Sequence, residues 1–323
     1  MNKQNGLVFS YILKGGAGQH IEWEQIKKWD PSQGILWLHL DYADEGVRKW
    51  LFEESGIDAV SCEALLAEET RPRSVSSSNS LLLILRGVNC NPGADPEDMV
   101  AIRIWFDEHR IISMRNRKVM AIEDIHKSIE AGKGPDSAND FLVMVANKLV
   151  DRMGDVISEI DDSVDELEDL VLTKESYELR PKLANLRRQT ISMRRYISPQ
   201  RDVLARLQNE RISWLNDIDK VHIREIAERT ARFVDDLDSA RDRAAITQEE
   251  LNSHLSEQMN KTMYILSIVA AIFLPLGLIT GLLGINVGGI PGTENKFAFM
   301  FVSFFLVVFA FFQVLLFKRK KWL

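Results

Sequence analysis

The sequence predicts an α/β domain, a long helical stalk and two membrane-spanning helices at the C-terminal end of its 323 residues. Three observations carry this. Met263–Leu283 and Phe297–Phe317 are each 21 residues long and contain no Asp, Glu, Lys, Arg or His; as helices they can each cross a bilayer core of about 30 Å. Lys220–Leu274 has no proline or glycine and repeats apolar residues every three or four positions, as a helix burying one stripe does. Residues 1–138 instead alternate short β-branched runs with short helical patterns.

Within 1–138, Leu7–Leu13, Ile35–Leu40, Leu81–Val88, Val100–Phe106 and Arg110–Met114 read as strands, rich in β-branched and aromatic residues. Ile21–Trp29, Glu45–Glu54 and Ala59–Glu69 have helical spacing, with Asp58 as an N-cap. Pro92-Gly93-Ala94-Asp95-Pro96 reads as an exposed turn between strands. Residues 139–215 form a helical hairpin. Its first helix carries the stripe Leu142, Ala146, Leu149, Met153, Val156, Ile160, Val164, Leu167 and Val171, and holds eight acids and no base between Met153 and Leu172. Its second helix, Arg180–Arg206, holds eight bases and the single acid Asp202. The acids are either a cation reservoir or one half of an antiparallel pair facing opposite charge. The matched numbers favour the pair.

Residues 216–262 are the stalk. Ile223, Ile226, Thr230, Phe233, Leu237, Ala240, Ala244, Thr247, Leu251 and His254 follow a heptad seam. A continuous helix from Lys220 to Leu283 would be roughly 96 Å long. A second stripe lies on the same helix: Gly281, Gly277, Leu274, Ala270, Ser267, Met263 and Asn260 in and near the membrane run, then Glu249, Asp242 and Asp235. Copies arranged around an axis would turn this stripe into a narrow uncharged tube opening onto rings of acid, a path for cations. The alternative is that the small residues only allow close helix packing, and that the acids are a solvated face paired with Arg232, Arg241 or Arg243.

Composition excludes several classes. Beyond Thr262 there are one acid and five bases, so the remainder holds 46 acids against 35 bases, a net charge of −11. Such a surface disfavours nucleic acid as a partner and attracts cations. Cys62 and Cys90 lack the spacing of a disulfide framework. Met1–Lys14 lacks the basic and apolar regions of a signal peptide. Lys318, Arg319, Lys320 and Lys321 follow the second span and Lys261 precedes the first, so both termini are expected in the cytoplasm and the loop 284–296 outside. Gly15-Gly16-Ala17-Gly18 lacks the Lys-Ser/Thr of a phosphate loop. Neither an enzyme nor a bound cofactor is expected.

Pro275, Gly281 and the triplet Gly284-Ile285-Asn286 at the end of the first span resemble the CorA family of divalent-metal transporters, whose usual triplet is Gly-Met-Asn. Ile285, followed by Gly288-Gly289-Ile290-Pro291-Gly292, is similar to the zinc-transporting ZntB branch. Trp37-Leu38-His39-Leu40, Glu69-Thr70-Arg71-Pro72-Arg73, Arg115-Asn116-Arg117-Lys118-Val119, Met193-Arg194-Arg195-Tyr196, Pro199-Gln200-Arg201-Asp202 and Lys321-Trp322-Leu323 match as well.

The resemblance implies a CorA-like funnel-shaped homopentamer in a bacterial inner membrane. Residues 263–283 would line the pore, 297–317 would face lipid and 318–323 would form a basic cytoplasmic tail. It also implies Gly284, Ile285 and Asn286 at the outer mouth, the Asn260/Met263 end as inner gate, and Lys318–Lys321 as a basic collar. Zn2+, with Cd2+, Ni2+ or Co2+ as further cargo, is the implied ion. Magnesium or cobalt transport in the same family is the near alternative, and a non-transporting membrane scaffold the distant one. Zinc prefers Cys and His, and neither span contains either. The implied proton coupling would fall to Glu294 and the cytoplasmic acids.

Overall fold

The computed structural model describes the chain except residues 1–5, 69, 78, 174–176, 285–291, 293, 294 and 321–323. It divides into two units, Met1–Gln248 and Glu249–Leu323.

The first unit is built on a seven-stranded mixed sheet of order β2-β1-β3-β7-β6-β5-β4. Its strands are β1 (Leu7–Lys14), β2 (Ala17–His20), β3 (Ile35–Asp41), β4 (Arg73–Ser76), β5 (Leu81–Gly87), β6 (Val100–Phe106) and β7 (Arg110–Arg115). All neighbours are antiparallel except β3 and β7. The five apolar strands expected from composition are present, with ends within a residue or two. The short edge strands β2 and β4 were not foreseen. Both are almost wholly exposed, so neither shows the apolar alternation that marks a strand, and short polar edges of this kind protect a sheet from further pairing.

Successive residues along β3 point to opposite faces of the sheet. Leu36, Leu38 and Leu40 pack with Ile112 and Met114 against α2 (Glu45–Glu53) and α3 (Ala59–Leu66). Asp44 and Asp58 cap these helices, accepting from Gly46, Val47 and Ser61 amides. The helix expected over Ile21–Trp29 is only the single turn α1 (Trp23–Ile26). Trp37, His39 and Ser113 point to the opposite face. There α4 (Met120–Glu130), absent from the expectation, buries Ala121, Ile122, Ile125 and Ile129, and Phe141 meets Trp37 and Phe106 edge-on.

Phe141 belongs to α5 (Ala138–Thr173), which is followed by α6 (Leu179–Leu207) and α7 (Asp217–Leu283). Two expectations are corrected here. Among the described residues, no acid of α5 forms an ion pair with a base of α6. Asp161, Asp165 and Glu168 surround Arg243 of α7, Asp151 meets Arg229 of α7 at 2.7 Å, and Arg194 of α6 meets Asp238 of α7 at 2.7 Å. Both hairpin helices therefore face the stalk, and α7 supplies the opposite charge to each. Second, the stalk's buried seam runs Ile223, Ile226, Ala227, Thr230, Val234, Leu237, Ala240, Ala244, Thr247, Leu251 and Leu255; His254 is exposed and Phe233 half-buried. A strict heptad drifts about 20° per repeat on a straight helix, which shifts the seam by one residue at these two positions. Phe233 is displaced toward α5, where Gly154 leaves room: a Cβ on Gly154 would lie 2.9 Å from the Phe233 ring.

The second unit holds the membrane end of α7 and α8 (Ala298–Arg319), the two helices long and apolar enough to cross a bilayer. On each, the half-buried residues share one side: Ile268, Ile272, Pro275, Leu276 and Ile279 on α7, and Ala298, Val302, Ser303, Leu306, Phe309, Ala310, Gln313 and Phe317 on α8. That is the signature of two helices packed side by side. The exposed aromatic residues Phe304 and Phe311 lie on the opposite side of α8.

Candidate ion path

The stripe singled out in the sequence lies on the part of α7 that α8 leaves uncovered. At 100° per residue, the mean direction of Ser267, Ala270, Leu274, Gly277 and Gly281 is about 150° from that of Ile268, Ile272, Pro275 and Ile279. All five stripe residues, and Asn260 and Met263 below them, are exposed in the single chain. A Cβ added at Gly277 or Gly281 would meet nothing within 4 Å. The path residues are thus free of the chain's own packing.

Their polar chemistry is one-sided. Ser267 Oγ donates to Met263 O at 2.8 Å, and Ser256 Oγ to Asn252 O at 2.8 Å. With the hydroxyl hydrogens turned onto the helix, both residues present only oxygen lone pairs outward, the groups that a cation's water shell or the ion itself accepts. α7 ends where Gly284 N–H donates to Thr280 O (2.9 Å) and Gly281 O (3.1 Å). Ile285, Asn286 and Glu294 lie outside the described residues, as does Lys321. Lys318 and Arg319 occupy the last turn of α8 and Lys320 its C-cap, where the helix dipole favours cations.

The three stalk acids are exposed on the side of α7 opposite its seam. Asp242 accepts from Arg241 at 2.9 Å, as the solvated-face reading requires. Arg243, another partner considered for them, is committed to α5 instead. Asp235 and Glu249 have no ion pair among the described residues. Beside them, burial first, then the charges of Asp161 and Asp235, push the Asp236 carboxyl above its ordinary range against the pull of Arg232.

Two features escaped sequence reasoning. Arg243 donates through Nη1 to Asp161 (2.9 Å), through Nη2 to Asp165 and Glu168 (2.6 Å), and through Nε to Glu168 (3.0 Å). The i, i+4, i+7 spacing of the three acids was the available signal. In the sheet, Trp37 Nε1 donates to Ser113 Oγ at 2.8 Å, and His39 Nδ1 shares the same hydroxyl at 2.8 Å. His39 is fully buried, with Phe9 stacked between it and His126. Burial, then the positive charge of Arg115, hold its imidazole well below the usual histidine range. No group of three or more His, Cys, Asp or Glu among the described residues has the geometry to hold a metal ion.

A soluble α/β head with a stalk helix that continues into the first of two apolar spans defines a two-span membrane protein. The profile of the CorA-like Mg2+ transporter protein family matches residues 32–319, and the chain belongs to that family, on its ZntB-type side. It is 39% identical over 325 residues to the divalent cation transporter CmaX of Pseudomonas aeruginosa, covering 99% of this chain and 98% of that one. It is 37% identical to the zinc transport protein ZntB of Yersinia enterocolitica, over 98% of this chain and 96% of the relative. The full-length structure of CmaX superposes with a TM-score of 0.86 at 38% identity, covering 99% of each chain. The CorA magnesium transporter of Methanocaldococcus jannaschii does so at 0.81 and 20% identity, covering 98% of this chain and 99% of that one, a likeness of fold.

Proposed function

We propose that this divalent cation transporter of the CorA family carries zinc across the inner membrane of a bacterium, along the axis of a closed ring of five copies. The observation that carries the path is the uncovered small-residue face of α7, opposite its α8-facing side. Small residues let first spans approach one another, and the outward oxygens of Ser256 and Ser267 suit a hydrated cation. The zinc assignment is supported by the zinc transport relatives. With no Cys or His in either span, the ion keeps most of its water shell, because nothing there can replace that shell with tetrahedral ligands.

In this reading Asn286 rings the outer mouth. Its neutral amide hydrogen-bonds the ion's waters without trapping the ion, as a ring of carboxylates would. Asn260 and Met263 form the inner gate, and Asp235, Asp242 and Glu249 gather cations below it. Lys318, Arg319, Lys320 and Lys321 form a collar at the cytoplasmic face, which places both termini inside. Coupling to protons would run through Glu294 and the stalk acids, since neither span holds a titratable carboxylate or histidine. Uptake into proteoliposomes, compared for Zn2+ and Mg2+ with and without a pH gradient, tests the reading. Zinc uptake that rises with an imposed gradient is expected. Magnesium uptake in place of zinc would move the chain to the magnesium-transporting side of the family, and no uptake of either would overturn transport.

A further inference from the structure

We infer that neighbouring heads in the ring meet acid to base, the outer ridge of α5 on one copy lying against the outer ridge of α6 on the next. The inference rests on the closed ring proposed above. On α5, Asp155, Glu159, Asp162, Glu166 and Asp169 recur at steps of four and three and are all exposed. At 100° per residue their mean direction is about 170° from that of the buried row Met153, Ile157, Ile160 and Val164, and each lies about 130° or more from it. They are distinct from the three acids held by Arg243, and none has an ion pair among the described residues. On α6, Arg188, Arg195 and Arg206 are exposed on the side away from Leu186, Met193 and Ile197. Arg188 donates to the Asn185 amide oxygen and Arg195 lies over the Tyr196 ring. None of the three reaches a carboxylate among the described residues. Ile191, 53% exposed, sits between Arg188 and Arg195.

The stalk sets the directions. Because α7 takes Arg243 to α5 and Asp238 to α6, the three helices turn three different faces outward. With the α7 face toward the ring axis, the acidic α5 face and the basic α6 face become the two flanks of the head. A ring joins unlike flanks, head to tail, and charge selects that contact: α5 against α5 would bring two rows of five acids together, whereas α5 against α6 pairs them with bases. The lengths agree, since Asp155–Asp169 spans about 21 Å and Arg188–Arg206 about 27 Å at 1.5 Å per residue. Ile191 supplies an apolar contact within the basic row.

The test uses the full chain in detergent micelles, with exposed Cys90 changed by Cys90→Ser. Asp162→Cys and Arg195→Cys in one chain, under mild oxidation, should give a ladder of disulfide-linked species rising one chain mass at a time to the closed ring. Either substitution alone should give none. Native mass spectrometry of the unmodified chain is run in parallel. A closed ring without a ladder overturns the flank contact alone, whereas an unmodified chain that is not a ring overturns the ring beneath it. Charge reversal gives an independent arm. Asp162→Lys with Glu166→Lys, or Arg188→Glu with Arg195→Glu, should each lower the salt concentration at which rings fall apart by twofold or more. The two sets combined should restore it. Weakening without restoration overturns the pairing.

Discussion

Replacing Arg243 by Gln removes the one cation that Asp161, Asp165 and Glu168 share. The side chains are partly exposed, 31% for Arg243 and 58%, 62% and 35% for the acids, so each pair is worth about 0.2–1 kcal/mol. Glu168 is gripped through both carboxylate oxygens, which places it at the upper end. Losing the arginine also leaves three like charges at i, i+4 and i+7 with repulsion of about 0.2–0.5 kcal/mol per neighbouring pair. Together the loss is about 2 kcal/mol, or a fall of about 4–8 °C in the melting temperature of a unit this size. Thermal melts of the full chain in detergent, read by circular dichroism, measure it. At 1 M salt the screening length is about 3 Å, and most of the difference between Arg243→Gln and the parent should vanish. Added Mg2+ should restore part of the loss in the variant and less in the parent, where the guanidinium already sits among the three carboxylates. A variant within about 0.5 kcal/mol of the parent at low salt would refute the clasp. A loss of full size at 1 M salt would assign the effect to the packing of the arginine stem.

The remaining predictions concern pH and transport. His39 is held neutral in the fold, so below the ordinary histidine pKa the unfolded chain binds a proton that the folded chain refuses. Stability therefore rises with pH through this window and drops by up to about 1.4 kcal/mol per unit of acidification below 6.5. Denaturation series at pH 7.5, 6.5 and 5.5 should show a shallower fall in His39→Gln, and equal slopes would remove His39 from the account. Asn286→Ala should abolish zinc uptake into proteoliposomes while leaving the assembly size unchanged; normal uptake would place the pore mouth elsewhere. Neutralising the stalk face (Asp235→Asn, Asp242→Asn, Glu249→Gln) should lower the uptake rate and the apparent zinc affinity and flatten the pH dependence of uptake. If all three readouts are unmoved, the Arg241–Asp242 pair typifies a solvated surface.

How much of this was legible follows from where the information lies. The five apolar strands and the long helices announce themselves through runs such as Leu81–Gly87 and the three-to-four spacing of Leu142 to Val171. The edge strands Ala17–His20 and Arg73–Ser76 do not, because they are held by hydrogen bonds to a neighbour and not by an apolar face. The stalk seam was read one residue out at Val234 and Leu255, since heptad counting and the true helical period diverge over such a length. The stripe from Asn260 to Gly281 could be extracted from spacing alone, but that α8 leaves it uncovered required the packed helices. The charge pairing failed for a different reason. Matched totals on α5 and α6 say that opposite charges exist, and only the position of α7 beside both says which meet.

The sheet has one further consequence, for how the head is made. β4-β5-β6-β7 is a meander and β2-β1-β3 a three-stranded group centred on β1, each of strands close in sequence, and they join only where β3 runs parallel to β7, from Leu36 beside Arg110 to Asp41 beside Arg115. Closing that junction costs the loop entropy of some seventy residues, far more than any hairpin beside it, so it is the slow, committing event in folding. Until it closes, two long unpaired edges of Leu and Ile stand open to other chains. Trp37, His39 and Ser113 meet across this junction. A slip of β3 by one residue would turn Trp37 and His39 away from the face that holds Ser113, so the shared hydroxyl of Ser113 acts as a check on alignment, and its loss should show first as aggregation during synthesis.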